Sequence, residues 1–578
     1  MGKEIKTHPT AILLFLFVLC SCQGIVQREI EAPGLRFVWK DETPSDCPFE
    51  RSTAFVGVLF TGKASDYYCG DTFYPSWADD GHLYSPYTDG TTDGMTPSSG
   101  SAERATTGNA VLMGDDPLNL VIRNTSEPQL ASALPYMGRY PAGSLVHNGI
   151  WYYGTYTLGP SWGVPHEGML WNWPVIGTMP GFRISTDYGK TWIPSPLTPE
   201  KPLFPEPDTL WGPVKMGAPH FVDFGKNMQY SPDGKAYLLG MGASGKDAGD
   251  RFANLSWITA DEVYMARVTP SIENINNIEA YEFFAGHDTA GHPIWSKNFN
   301  DLKPLLDWNN HMGCVTATYN PVLKKFFMCV TDGKNTVSQM DSYFLEADSL
   351  TGPWRLITYM KNFGEQSYFL NIPSKFIDPK EGNLMWLCHS ANFSNGWNGV
   401  ELKIKPRGGR YGLSLHEMKF LTPSELAEEE RNAQADPLLS ADNIAPLAKV
   451  SVSSLFEGYS ASSVVDGIVD GYPSSISSEW ASQGEKEGAS VTLVWDQPRK
   501  ISRVWLFDRP VKTDQILSGK LLFDDGTEIM VDSLPDNAFK GREISFPHKK
   551  TQSLSFVVTK VKEGTQNIGL SEFAVFEK

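Results

Sequence analysis

The 578 residues carry 49 Lys and Arg against 67 Asp and Glu, a formal charge of −18, and 12% of them are aromatic. A chain this acidic repels phosphate backbones, which argues against nucleic-acid binding. Its 41% hydrophobic content excludes wholesale disorder, and its 52 Gly and 40 Pro favour short strands joined by turns over helical bundles.

Lys3 and Lys6 precede an apolar run, Ala11 to Leu19. That run is too short for a membrane span, which takes about 20 residues, and it reads as an export signal. Leu19-Cys20-Ser21-Cys22 resembles the bacterial lipobox. The resemblance implies that residues 1–22 are a signal peptide and that Cys22 is lipidated. The mature chain is then expected to be exported and tethered to a membrane of the cell envelope, in the periplasm or at the surface.

Five cysteines remain: Cys47, Cys69, Cys314, Cys329 and Cys388. They show no Cys-x-x-Cys or Cys/His ligand spacing, so no zinc site is indicated. One or two disulfides are compatible with export, and the pairing is not legible. Cys329 and Cys388 sit inside apolar runs and are expected to be buried free thiols.

Residues 30–421 alternate short apolar runs with Gly, Pro, Asn and Asp; Gly149–Tyr156, Lys235–Gly240 and Val263–Val268 are examples. Strand after strand with almost no helical period predicts an all-β domain, and the spacing of similar hairpins favours a β-propeller. Five blades would allot about 80 residues to each and seven about 56, so five is preferred over seven. Ser185-Thr-Asp187-Tyr-Gly189-Lys-Thr191-Trp192 fits the Asp-box pattern of propeller blades. There Asp187 is expected to bond the turn's own backbone, Gly189 to allow positive φ, and Trp192 to pack between blades.

Thr422-Pro-Ser-Glu425 predicts a helix start, with Thr as N-cap and Glu at N3. Residues 422–446 are expected to be this charged helix and a linker. From 447 to 578 the motifs Ser463-Val-Val-Asp466-Gly467, Glu479-Trp480-Ala481, Val491–Trp495 and Glu572-Phe-Ala-Val-Phe576 follow one another. They resemble the galactose-binding-like (discoidin, or factor 5/8 type C) β-sandwich jelly roll. Such modules often bind glycans through loop residues, and the resemblance offers Trp480 and Arg509.

The chemistry concentrates in the first domain. Gly70-Asp71-Thr72-Phe73 follows an apolar strand, Ala54–Phe60, so Asp71 is placed to point at a propeller's central axis. The next stretch is dense in aromatics and carboxylates, among them Trp77, Asp79, Tyr84 and Asp89. Aromatic faces stack on sugar C–H surfaces while carboxylates bind hydroxyls, so these four read as substrate-binding. Glycoside hydrolysis needs two carboxyl groups. Asp71 is the expected base or nucleophile, and Glu167 or Asp223, each in a Gly/Pro-bounded loop beside a His, the expected proton donor. His220, Gln366 and Tyr368 complete the candidate substrate-binding set.

Several pieces then recur in order: Gly70–Phe73, Tyr140-Pro-Ala-Gly143, Gly149–Tyr153, the Asp box, Val263–Pro270, Ala280–Gly286, Tyr319–Val330 and Thr351-Gly-Pro-Trp354. Together they resemble the five-bladed propeller family known as domain of unknown function 4185, which includes bacterial endo-D-arabinanases. The resemblance implies a glycoside hydrolase of arabinan-like or related polysaccharides with carboxylates in the funnel, Asp71 among them. The elaborated 74–94 loop and the C-terminal module depart from that pattern. No cofactor and no metal ligand set is called for; a structural calcium ion is left open. Two other readings remain. One is a polysaccharide lyase using Arg, Tyr and His82, His147, His166, His220, His311 or His389, against which the negative charge speaks. The other is a lipoprotein that captures glycans without cleaving them.

Overall fold

The computed structural model describes residues 24–577 apart from 34–35, 66, 68–69, 100–103, 132–138, 158–178, 199–200, 207–213, 244–258, 334–339, 364–366, 392–405, 407–410, 433–435, 473–475, 512 and 537–539. It is all-β, with a single α-helix among the described residues, and it divides into two compact units. One unit is Pro33–Gln434; the other joins the residues up to Ala32 with those from Ala435 onward.

Pro33–Gln434 is a five-bladed β-propeller. Its five antiparallel sheets follow one another along the chain, their innermost strands being Ser76–Trp77, Arg139–His147, Gly217–Phe221, Val315–Asn320 and Ser367–Asn371 for blades I to V. Blade V is closed from both ends of the unit: Gly57–Ala64 pairs with Ser414–Leu421, which pairs with Leu384–Ala391. This closure ties residues more than 300 apart in sequence and removes the free edges an open ring would leave.

Blade II shows how the sequence pattern builds a blade. Ile150–Thr157 lies between Arg139–His147 and Phe182–Ser185, and the Asp box follows as the next turn. Asp187 Oδ1 accepts from Thr191 N at 2.9 Å and Ser185 Oγ at 2.7 Å. Gly189 has φ +86°, and a Cβ there would come within 2.8 Å of the Trp151 ring. Trp192 packs 5.2 Å from Trp151 and donates through Nε1 to Ser126 Oγ of blade I at 3.0 Å, so it bridges two blades. The helix Pro423–Asn432 starts as its sequence predicts: Thr422 N donates to Glu425 Oε2 at 2.9 Å and Glu425 N to Thr422 Oγ1 at 3.4 Å.

The second unit is a β-sandwich, with a seven-stranded and a two-stranded antiparallel sheet around a core that includes Trp480, Trp495, Leu506 and Phe573. Its two long strands, Ser490–Phe507 and Lys540–Val561, break register between Val494 and Arg499, which lets one ladder curve round that core. Its sheet also takes in a strand the sequence reading did not anticipate. Val26–Glu31 runs antiparallel to Lys540–Ser545.

Trp480 and Arg509 prove to be framework rather than glycan contacts. Trp480 is fully buried and donates to Ser454 O at 2.8 Å. Arg509 is buried between Glu479 and Asp514, 3.0 Å from each. Of the cysteines, Cys329 and Cys388 are buried free thiols, Cys314 is buried and in no disulfide, and Cys47 is half-buried and free; Cys69 lies outside the described residues.

Candidate functional site

The innermost strands of a propeller surround its axis, and here one from every blade lines a single channel. Tyr74 and Ser76 of blade I, Leu145 of blade II, His220 of blade III, Thr316 of blade IV and Asn371 of blade V face the same cavity of about 50 Å³. A volume that small admits a few water molecules and no sugar ring. A ligand larger than a few waters would have to bind at an end of the channel.

Three blades shape the channel by the same local device. Thr72, Ala218 and Phe369 have φ of 61°, 41° and 60°. The pairing of the blade III and blade V inner strands also slips at this level, between Gly217 and His220 and between Tyr368 and Asn371. Bulges and left-handed residues re-aim the side chains that follow, and two residues on stand Tyr74, His220 and Asn371.

The titratable groups gather at the end of the channel where the innermost strands begin. Asp71 enters just before the first inner strand, bridged to Thr88 at the end of the neighbouring strand, so Asp71 and Asp89 stand side by side. Tyr140 opens the blade II inner strand opposite Tyr156, and Tyr368 opens that of blade V. Asp71 is 4% exposed, and its Oδ2 accepts from the Tyr368 hydroxyl at 3.0 Å and the Tyr411 hydroxyl at 3.3 Å. Its Oδ1 meets no hydrogen-bond partner among the described residues, and neither do the buried hydroxyls of Tyr74 and Tyr156. Buried polar atoms without partners are uncommon, and a row of them at the mouth of a channel suits a polar ligand.

Burial, and after it the charge of Asp89, holds the Asp71 carboxyl well above the usual carboxylate range. Asp89 is raised as well, by burial, but it is better supplied with donors: Ser99 N at 2.7 Å, the Ser99 hydroxyl, and the Tyr140 hydroxyl. Two neighbouring carboxyls do not both ionise readily, and the one with more donors loses its proton first. Asp71 therefore carries the proton and Asp89 the charge. Burial keeps Tyr140, Tyr156 and Tyr368 as neutral phenols. The mouth thus brings together an acid, a carboxylate and a ring of phenol groups.

The remaining predicted residues are dispersed. His220 lies deeper in the channel, its ring stacked 3.8 Å from that of Tyr74. Neither of its nitrogens has a partner among the described residues, and burial pushes its pKa down to about 3, so it stays neutral. Asp223 also lines the channel, but both its oxygens are occupied: Oδ1 by Gly225 N at 2.9 Å and Ser374 Oγ at 2.8 Å, Oδ2 by Ser374 N at 2.8 Å. With its backbone bridged to Thr318, it ties blades III, IV and V together. Asp79 is at the far end of the blade I hairpin, accepting from Tyr188 at 2.9 Å. Tyr84 is near it, donating to Asp80 at 2.7 Å. Trp77 lines the channel from the end of its strand. Glu167, Gln366 and Cys22 lie outside the described residues. Sequence reasoning missed Tyr156, Tyr411 and Ser99, and it passed over Tyr140 although that residue heads one of the recurring pieces. No group of three or more His, Cys, Asp or Glu placed to hold a metal occurs among the described residues.

Comparison with known proteins bears on both units. The model of a domain of unknown function, DUF7402, matches residues 443–576, within the sandwich unit. No curated protein matches the chain. A Bacteroides ovatus protein provisionally named a hydrolase is 12% identical, covering 68% of this chain and 99% of its own, with a TM-score of 0.37. A structure described as a glycoside hydrolase is 11% identical, covering 88% of this chain and 98% of its own, with a TM-score of 0.28. The family 32 carbohydrate-binding module of Clostridium perfringens NanJ, in complex with galactose, is 16% identical over 24% of this chain and 98% of its own, with a TM-score of 0.20.

Proposed function

We propose that the propeller is a glycoside hydrolase that cleaves a polysaccharide at the Asp71 mouth. The observation that carries this reading is the pair Asp71 and Asp89, buried side by side, one stabilised as the acid and the other as the carboxylate. Hydrolysis of a glycosidic bond uses such a pair: an acid protonates the leaving oxygen while a carboxylate activates water or attacks the anomeric carbon. Asp71 takes the acid role here, in place of the base role its sequence position alone suggested. Asp89 takes the second role; Glu167, outside the described residues, stands as a further donor candidate. The neutral phenols of Tyr140, Tyr156, Tyr368 and Tyr411 would hydrogen-bond sugar hydroxyls. They suit an uncharged, arabinan-like glycan of the kind the family resemblance implies.

Product chromatography on arabinans, rhamnogalacturonans and uronate-containing glycans tests the reading. Cleavage products are expected from the wild type, and Asp71→Asn should bind the same glycan without releasing them. Products with the ultraviolet absorbance of an unsaturated uronate would instead establish a lyase. No cleavage of any glycan at high enzyme concentration would leave a capture protein.

A further inference from the structure

The N-terminal strand changes which part of the molecule a lipid at Cys22 would hold. Val26 is four residues after Cys22, and Val26–Glu31 is built into the sandwich, not the propeller. Its six residues pair in register with Lys540–Ser545, from Val26 opposite Ser545 to Glu31 opposite Lys540. Arg28 Nε lies 2.8 Å from Glu543 Oε1. Gln27 locks the strand to the neighbouring sheet edge: its Nε2 donates to Met530 O at 3.1 Å and its Oε1 accepts from Asp532 N at 3.0 Å. Four residues of extended chain reach about 14 Å. The propeller's first strand, Phe37–Val38, comes only later in the chain.

Three apolar side chains in and beside Val26–Glu31 are exposed at the sandwich surface. Ile25, Val26 and Met530 are 50%, 56% and 56% exposed. A chain of net charge −18 gains no electrostatic attraction to an anionic membrane, so contact there must come from a tether and from apolar insertion. We propose that the sandwich edge formed by Ile25, Val26 and Met530 rests on the lipid surface. This rests on the lipobox reading of Cys22. The module would then be held against the bilayer, whatever else it binds.

The full chain, expressed with its leader in a bacterial host fed radiolabelled palmitate, is reconstituted in vesicles of phosphatidylethanolamine and phosphatidylglycerol. Met530→Cys and Ile294→Cys, each in a Cys47→Ser/Cys69→Ser background, are then treated with a membrane-impermeant polyethylene-glycol maleimide. Ile294 is an exposed propeller residue. The expected result is palmitate incorporation, loss of Met530→Cys labelling on vesicles, and recovery of that labelling when Cys22→Ser is added, with Ile294→Cys labelled throughout. Palmitate incorporation with Met530→Cys labelled as fast as Ile294→Cys would overturn the docking edge and leave lipidation standing. Absence of palmitate would overturn both.

Discussion

At Asp71 the local backbone and the charge environment act together. Gly70 at φ +110° and Thr72 at φ 61° flank it, and Asp89 itself sits at φ 51°. A β-branched residue in the left-handed region is costly and persists only where the surroundings impose it, as they do around functional groups. The pH dependence follows from the raised carboxyl. An acid must be protonated to act, so activity should fall as pH rises through the Asp71 pKa, along a limb lying above the ordinary carboxylate range. Asp89→Asn removes the neighbouring charge; most turnover should go, and the alkaline limb of what remains should move to lower pH in a pH–rate profile. Stability falls with rising pH as well. A carboxyl that binds its proton more tightly folded than unfolded lowers stability as pH climbs from the usual carboxylate range to the folded pKa. Asp71→Asn should therefore lose activity while its melting temperature at neutral pH holds or rises, which calorimetry reads directly.

The blade is the scale at which the sequence pattern becomes a scaffold. In the Asp box, Gly189 is required twice over, by its φ of +86° and by the Trp151 ring against the position of its missing Cβ. Gly189→Ala should destabilise the propeller by about 1–3 kcal/mol, seen as a lower denaturant midpoint with an unchanged slope. At the helix start, Thr422→Ala removes the reciprocal bonds with Glu425 and should cost about 1 kcal/mol by the same measurement. The Asp box was readable because it is local: a Ser, an Asp, a Gly, a Thr and a Trp within eight residues. The channel bulges at Ala218 and Phe369 were not readable, because a bulge is a mismatch between two strands and neither strand shows it alone.

Among the described residues each hydrophobic cluster lies within one of the two compact units, so two unfolding transitions are expected. Arg509→Ala would leave Glu479 buried without its cation and should lower the sandwich transition by about 3–5 kcal/mol, leaving the propeller transition in place in differential scanning calorimetry. Deleting residues 26–31 should act on the same transition, since those residues are a strand of the sandwich. Chain order suggested a leader, a propeller and a sandwich in succession. The sheet pairings instead place the first strand in the last unit and close blade V with Gly57–Ala64.

Strand alternation, turn residues and the Asp box act over a few neighbouring residues, so the all-β class and the propeller were legible along the chain; the sandwich was legible by resemblance, and Asp71 stood out in the sequence as a candidate. The sequence also singled out Asp89 and Tyr368 as polar groups near sugar-binding chemistry. It set Asp223 beside them, and only the packing showed a carboxylate held on both oxygens by Ser374 and Gly225. Which groups share a mouth is a tertiary fact. Tyr368 and Tyr411 come from residues 297 and 340 positions away to meet one oxygen of Asp71, a distance no local pattern spans. The upward shift of the Asp71 carboxyl comes from burial and from Asp89 beside it, and both exist only once the five blades have closed around the axis.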